Sequence, residues 1–178
     1  HLLSLINDVL DMSKIEAGQV SLRMQPFDLH LMLAGLEDMF RIRTQEKDLT
    51  LNFSVDENLP QFVVTDQSRL RQVLLNLLGN AVKFTEAGEV ALLVNVVIPA
   101  KKVSAENVKL HFAVEDSGPG IEEEEIMAVF EPFVQATNTK MDVVGTGLGL
   151  SISSQLVRLL GGEIAVSRSE EHTSELQS

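Results

Sequence analysis

NLLGNAVKF, Asn76–Phe84, closes a run that begins at Asp66 and reads DQSRLRQVLLNLLGNAVKF. At about 100° per residue, Leu70, Val73, Leu74, Leu77, Leu78 and Ala81 fall on one apolar stripe. Asp66 stands where an N-cap belongs, so one long helix is predicted from Asp66 through Phe84. Arg69, Gln72, Asn76, Asn80 and Lys83 form a second, polar stripe on a different face. A stripe of that kind is ordinarily a solvated surface. Asparagine, however, is a mediocre helix former, because its side chain competes for backbone hydrogen bonds. Two of them one turn apart, joined by Lys83, make a poor surface and a good site. A carboxamide oxygen can ligand a hard cation such as Mg²⁺, and a lysine can reach phosphate oxygens.

Downstream lie three further short motifs. Asp116-Ser117-Gly118-Pro119-Gly120 follows directly on a strand-like run. It can be a plain tight turn, since Asp and Gly are turn formers. It can equally bring backbone close to a flat ligand, where a side chain would clash. Phe130-Glu131-Pro132-Phe133 comes next, and core packing describes both phenylalanines well. Gly145-Thr146-Gly147-Leu148-Gly149-Leu150 then leads into a helix. Glycine-rich turns at a helix N-terminus offer N–H groups and a favourable dipole to an anion, although a bare GxGxG can also be a hinge. Glu122–Glu125 looks like a metal cluster, but four consecutive acids point in different directions, and at a helix start they simply face the dipole favourably.

Leu2, Leu3, Leu5, Ile6, Val9, Leu10 and Met12 recur at helical spacing up to Gly18, a C-cap signal. Gln19–Phe27 is a strand-like connector in which Pro26 disfavours a central position. Asp28 can cap a helix to about Lys47, and Leu49–Val55 alternates as a strand, with a turn at Pro60. Glu89–Ile98 and Val108–Glu115 are strand-like, Ile121–Phe130 reads as a short helix and Gln135–Val144 as a polar loop. Leu148–Leu160 reads as a helix ended by Gly161-Gly162, and Glu163–Ser167 as the start of a last strand. The order of these elements predicts an α+β fold, a two-layer sandwich of a mixed sheet with helices on one face. No P-loop signature is present.

Composition narrows the function. The 178 residues hold 26 acidic and 14 basic side chains, a formal net charge of −12, which repels nucleic-acid backbones. Any phosphate site must then rely on local positive potential from helix N-termini, N–H groups, a few lysines and a divalent cation. No apolar run approaches the roughly 20 residues that span a bilayer, and no signal-peptide layout appears. The chain has no cysteine, which excludes disulfides and thiolate metal sites and is compatible with a reducing cytoplasm.

In this order and together, NLLGNAVKF, DSGPG, FEPF and GTGLGL resemble the catalytic ATP-binding domain of sensor histidine kinases, hybrid kinases included, within the GHKL superfamily with its Bergerat fold. The resemblance runs from about Leu2 to Ser167. It implies that Asn80 is the Mg²⁺ ligand, that Asn76 supports the same phosphate–metal network and that Lys83 contacts the phosphates, with Phe84 beside the nucleotide. It implies that Asp116 accepts a hydrogen bond from the adenine amino group, with Gly118, Gly120 and Ile121 lining the base. Phe130 and Phe133 would anchor a lid over residues 135–144, whose Lys140 stands in for the arginine many relatives carry. Gly145, Thr146, Gly147, Leu148 and Gly149 would contact the triphosphate.

The same resemblance reads residues 1–19 as the end of the second helix of a dimerisation and phosphotransfer hairpin, and 20–167 as the ATP-binding domain without its last strand. Residues 168–178, RSEEHTSELQS, match the translation of a common sequencing adapter and are expected to be non-native. His1 precedes second-helix sequence and lacks the flanks of a phospho-acceptor; His30, His111 and His172 carry no chemistry in this reading. The expected activity is transfer of the γ-phosphoryl of ATP to a histidine outside these residues, for relay to a response regulator or receiver domain. The fragment itself is expected to bind ATP·Mg²⁺ without phosphorylating itself. A homodimeric parent, a cytoplasmic position for this domain and a parent that can be membrane-anchored follow from the same resemblance. Two alternatives are a hydrolytic ATPase of the superfamily, which generally uses a glutamate where Asn76 stands, and a non-enzymatic nucleotide-binding or dimerisation module.

Overall fold

The computed structural model describes residues 2–97, 108–134 and 145–168. Its elements are α1 (Leu2–Glu16), β1 (Gln25–Asp28), α2 (Leu29–Gln45), β2 (Thr50–Val55), β3 (Phe62–Thr65), α3 (Gln67–Phe84), β4 (Glu89–Val97), β5 (Lys109–Asp116) and α4 (Gly149–Leu159). The chain divides into two compact units, one of Ser21–Pro119 and one of His1–Val20 with Gly120–Ser178.

In the Ser21–Pro119 unit both helices begin at the expected aspartates. Asp28 accepts the N–H of Leu31 at 2.8 Å, and Asp66 accepts that of Arg69 at 3.0 Å, each satisfying a donor the first helical turn leaves orphaned. Asp66 also accepts the N–H of Arg23 at 2.8 Å, tying the connector to the start of α3. The strands form a mixed sheet in the order β2-β4-β5, with β2 parallel and β5 antiparallel to the central β4. On β4, Val90, Leu92 and Val94 are fully buried while Ala91 and Leu93 are half-buried, the period-two signature of one covered face. Leu36 and Phe40 of α2 join Leu74, Leu78, Ala81 and Val82 of α3 and those three β4 side chains in one core. Leu77, which the helical wheel puts on the same stripe, is only half-buried.

The expected mixed α/β architecture is present, but its strands form two sheets among the described residues. β1 pairs antiparallel with β3, Pro26 opposite Val64, in a separate two-stranded ribbon. That placement suits Pro26, which has no N–H to give a central strand. Strand β3 is not among the elements expected from sequence, because its four residues are too few for periodicity to stand out from the turn at Pro60.

In the other unit α1 ends at Glu16, and Gly18 adopts φ +65°, the left-handed C-cap expected of it. The helix expected over Ile121–Phe130 is instead two 3₁₀ turns, Glu123–Glu125 and Ala128–Phe130. Pro132 holds Glu131 extended, so no helix runs on past Phe130. α4 ends as expected, with the N–H of Gly162 on the Val157 carbonyl at 2.9 Å and Gly161 at φ +83°. No strand forms over Glu163–Ser167. Ile164 and Val166 keep the alternating half-burial of a strand, but a ladder needs a paired neighbour. The expected lid over residues 135–144, with Lys140, lies outside the described residues, as do His1 and residues 169–178.

Candidate functional site

The polar stripe of α3 is not a freely solvated face. Arg69, Gln72, Asn76, Asn80 and Lys83 are all half-buried, and the Arg69 guanidinium donates to the Gln72 side-chain oxygen at 2.9 Å. Burial pushes the Lys83 ammonium below the usual lysine range, and the ammonium lies 5.0 Å from the centroid of the Phe84 ring. Lys83 and Phe84 thus form one amphipathic edge at the end of the helix.

The DSGPG turn begins where β5 ends. Asp116 is exposed, and its Oδ1 accepts the N–H of Gly118 at 2.9 Å. A side chain that caps its own turn in this way presents its carboxylate in one orientation. Ser117 fastens the turn to the loop after α3: its hydroxyl accepts the N–H of Glu89 at 2.8 Å and donates to the Ala87 carbonyl at 3.2 Å. Gly88, at φ +107°, permits that approach, because a Cβ there would run into the Ser117 side chain. Neither Ser117 nor Gly88 stood out in the sequence, where both pass for generic turn residues.

The two arms meet at the end of α3. A Cβ on Gly118 would stand 3.2 Å from the Phe84 carbonyl oxygen and 3.3 Å from Thr85 Oγ1. Thr85 is fully buried, and its hydroxyl has no hydrogen-bond partner among the described residues. The Ser21–Pro119 unit therefore holds the polar stripe, the aromatic edge and the Asp116 carboxylate together with a glycine cradle.

These donors fit ATP and Mg²⁺. A glycine surface beside a carboxylate suits a flat base with an exocyclic amine. The amide oxygens of Asn76 and Asn80 are hard donors of the kind Mg²⁺ takes. No group of three or more His, Cys, Asp or Glu able to hold a metal occurs among the described residues.

The glycine loop belongs to the other unit. Gly147, at φ +69°, donates no side chain to the crowd around it: a Cβ would stand 2.8 Å from the Phe133 carbonyl carbon. The N–H of Phe133 reaches the Gly147 carbonyl at 2.9 Å, so the FEPF segment and the loop are laced together. Thr146 Oγ1 donates to Asp8 of α1 at 3.2 Å and accepts the N–H of Leu148 at 3.3 Å. Burial pushes the Asp8 carboxyl up, the Thr146 hydroxyl pulls it down and Asp11 adds to the rise, with a net increase. α4 starts at Gly149 with no side-chain cap, and Leu148 before it is fully buried. Gly120 has φ +72°, Ile121 and Gly145 are half-buried, and Phe130 is half-buried. The expected core role of the FEPF phenylalanines fails for Phe133, which is 67% exposed and itself at φ +65°; Val129 is the buried anchor.

Residues 65–177 match the family described as histidine kinase-, DNA gyrase B- and HSP90-like ATPase. The chain is 39% identical over 165 residues to the aerobic respiration control sensor protein ArcB of Escherichia coli K12, covering 92% of this chain and 20% of that protein. It is 39% identical over 167 residues to the autoinducer 2 sensor kinase/phosphatase LuxQ of Vibrio vulnificus, covering 93% and 19%. Among solved structures, full-length ShkA in complex with AMPPNP superposes with a TM-score of 0.80 at 37% identity, covering 95% of this chain and 33% of that one. The chain thus spans about a fifth of the length of each of these two curated relatives.

Proposed function

Because the chain belongs to the histidine kinase-, DNA gyrase B- and HSP90-like ATPase family, we propose that it is the ATP·Mg²⁺-binding half of a protein histidine kinase. In this reading Asp116 accepts from the adenine amino group, and the bare backbone at Gly118 lets the base lie against the turn. Asn80 ligands Mg²⁺, Asn76 braces the same network, and Lys83 neutralises phosphate charge at the end of α3. In the other unit, Gly120, Ile121 and the Gly145–Gly149 loop carry nucleotide-binding chemistry of their own, the loop offering N–H groups at the start of α4 to an anion. Bound Mg²⁺ would supply charge neutralisation on the phosphate oxygens. The protein's own residues supply orientation and electrostatics, on which phosphoryl transfer mainly depends.

The observation that supports the reading is the close approach of Gly118 to Phe84 and Thr85, with Asp116 capping the same turn, so that the α3 amides and the Asp116 carboxylate belong to one compact unit. Asn76 favours phosphotransfer over hydrolysis, since a neutral amide cannot take a proton from water as a general base does. The partners are then a histidine imidazole as acceptor, a second subunit and a response regulator or receiver domain. Support comes from relatives named as a sensor protein and a sensor kinase/phosphatase and from a similar structure solved with AMPPNP. No helix among the described residues is long and apolar enough to cross a membrane.

Calorimetry on the chain tests the binding step. ATP is expected to bind with Mg²⁺, and Asp116→Asn to weaken it by about tenfold or more, since a hydrogen bond to a charged group is lost. For the parent protein, phosphohistidine is the expected product. Fast phosphate release without it would reverse the reading in favour of a hydrolytic ATPase.

A further inference from the structure

Lys47 lies just past α2, and its ammonium reaches the far end of α3. Nζ donates to the Val82 carbonyl at 2.6 Å, the Thr85 carbonyl at 2.8 Å and the Lys83 carbonyl at 3.2 Å. An ammonium has three N–H donors, and all three are used. The acceptors are carbonyls that a helix end leaves without intrahelical partners, where the macrodipole also concentrates negative charge.

The lysine is held for this task by a tight turn. The N–H of Lys47 and that of Leu49 both reach the Thr44 carbonyl, at 3.1 and 2.9 Å, and Asp48 between them takes φ +54°. Thr44 and Leu49 are buried, and the Thr44 hydroxyl donates to the Phe40 carbonyl at 3.0 Å, so the turn is rooted in the core. At the other end, the clamped carbonyls belong to the segment that carries Lys83 and Phe84 and abuts Gly118.

We propose that Lys47 is a positioning residue for the nucleotide site. By clamping the last turn of α3, it fixes Lys83 and Phe84 in register with the Asp116–Gly118 turn. The inference rests on the nucleotide-binding reading above, and Lys47 itself touches no ligand.

The test combines amide hydrogen exchange without nucleotide and ATP·Mg²⁺ calorimetry, on the wild-type chain, Lys47→Met and Lys47→Arg, at a temperature where each is folded. Lys47→Met is expected to speed exchange at Phe84, Thr85 and Gly118 while leaving the Leu33–Phe40 amides of α2 protected. ATP affinity should fall by about tenfold, the scale of losing hydrogen bonds from a charged group. Lys47→Arg keeps the cation and should recover most of that affinity, so the test survives if the Met variant does not fold. Unchanged exchange in Lys47→Met would overturn the clamp, and faster exchange with wild-type affinity would reduce Lys47 to a helix cap and overturn the positioning role. A wild-type chain that fails to bind ATP would instead remove the functional reading, leaving the exchange result to judge the clamp alone.

Discussion

A methyl group on Gly118 would stand 3.2 Å from the backbone oxygen of Phe84, so the Asp116–Gly118 turn and the end of α3 leave little room between them for a side chain. The same methyl would lie 2.7 Å from Asp116 Oδ1. Gly118→Ala is expected to displace the carboxylate and cost about 1–3 kcal/mol, as overpacking does. Thermal melting should show the loss, and calorimetry a larger loss of ATP affinity. A variant with wild-type values in both would sink the idea that this contact sets the site.

Asn80→Asp converts an amide into a carboxylate in a chain whose formal charge is already −12. Added negative charge beside phosphates opposes binding unless a cation intervenes. ATP affinity is expected to become more steeply dependent on Mg²⁺, while adenosine binds as before. Titrations with and without a chelator measure this; equal Mg²⁺ dependence in both proteins would remove Asn80 as the ligand.

Asp66 links acid stability to the start of α3. Burial pushes its carboxyl up, but the N–H groups of Arg23 and Arg69 and the Arg69 charge outweigh it, leaving it below the ordinary value of 3.8. A folded-state pKa below the unfolded one gives stability that is present above 3.8 and lost as pH falls through the depressed value. Asp66→Asn should therefore flatten the stability profile in that acid window. Denaturant midpoints across pH 2–5 provide the check, and parallel profiles for the two proteins would refute it.

Leu77 and Leu78 share one apolar stripe on the helical wheel, yet only Leu78 is fully buried. Leu78→Ala is expected to cost about 2–5 kcal/mol through lost contact and a residual cavity. Leu77→Ala should cost about 1 kcal/mol or less. Urea denaturation of the two variants distinguishes them, and equal losses would contradict the burial difference.

Much of the fold was legible because its signals are local. The side chains of Asp28 and Asp66 cap α2 and α3 through bonds three residues on, and Gly18 and Gly161 end α1 and α4 within a turn. The period of Leu70, Val73, Leu74 and Leu78 needs no partner to be read. Strand β3 was not legible, since four residues show periodicity too weakly and depend on pairing with β1. Glu163–Ser167 has the residue types of a strand, but strand formation depends on a neighbour that residue type cannot supply.

NLLGNAVKF and DSGPG by themselves determined the helix, the turn and the chemistry each carries, because amide, ammonium, carboxylate and glycine have those properties wherever they stand. Tertiary structure alone decided that the end of α3 abuts Gly118 and that Lys47, 35 residues before Val82, closes that helix end. It also decided that Leu78, not Leu77, anchors the core, and that Phe133 is exposed. The physical reason is range. Capping and periodicity act within a turn or two, whereas carbonyls at a helix end accept whatever donor the packed chain brings to them.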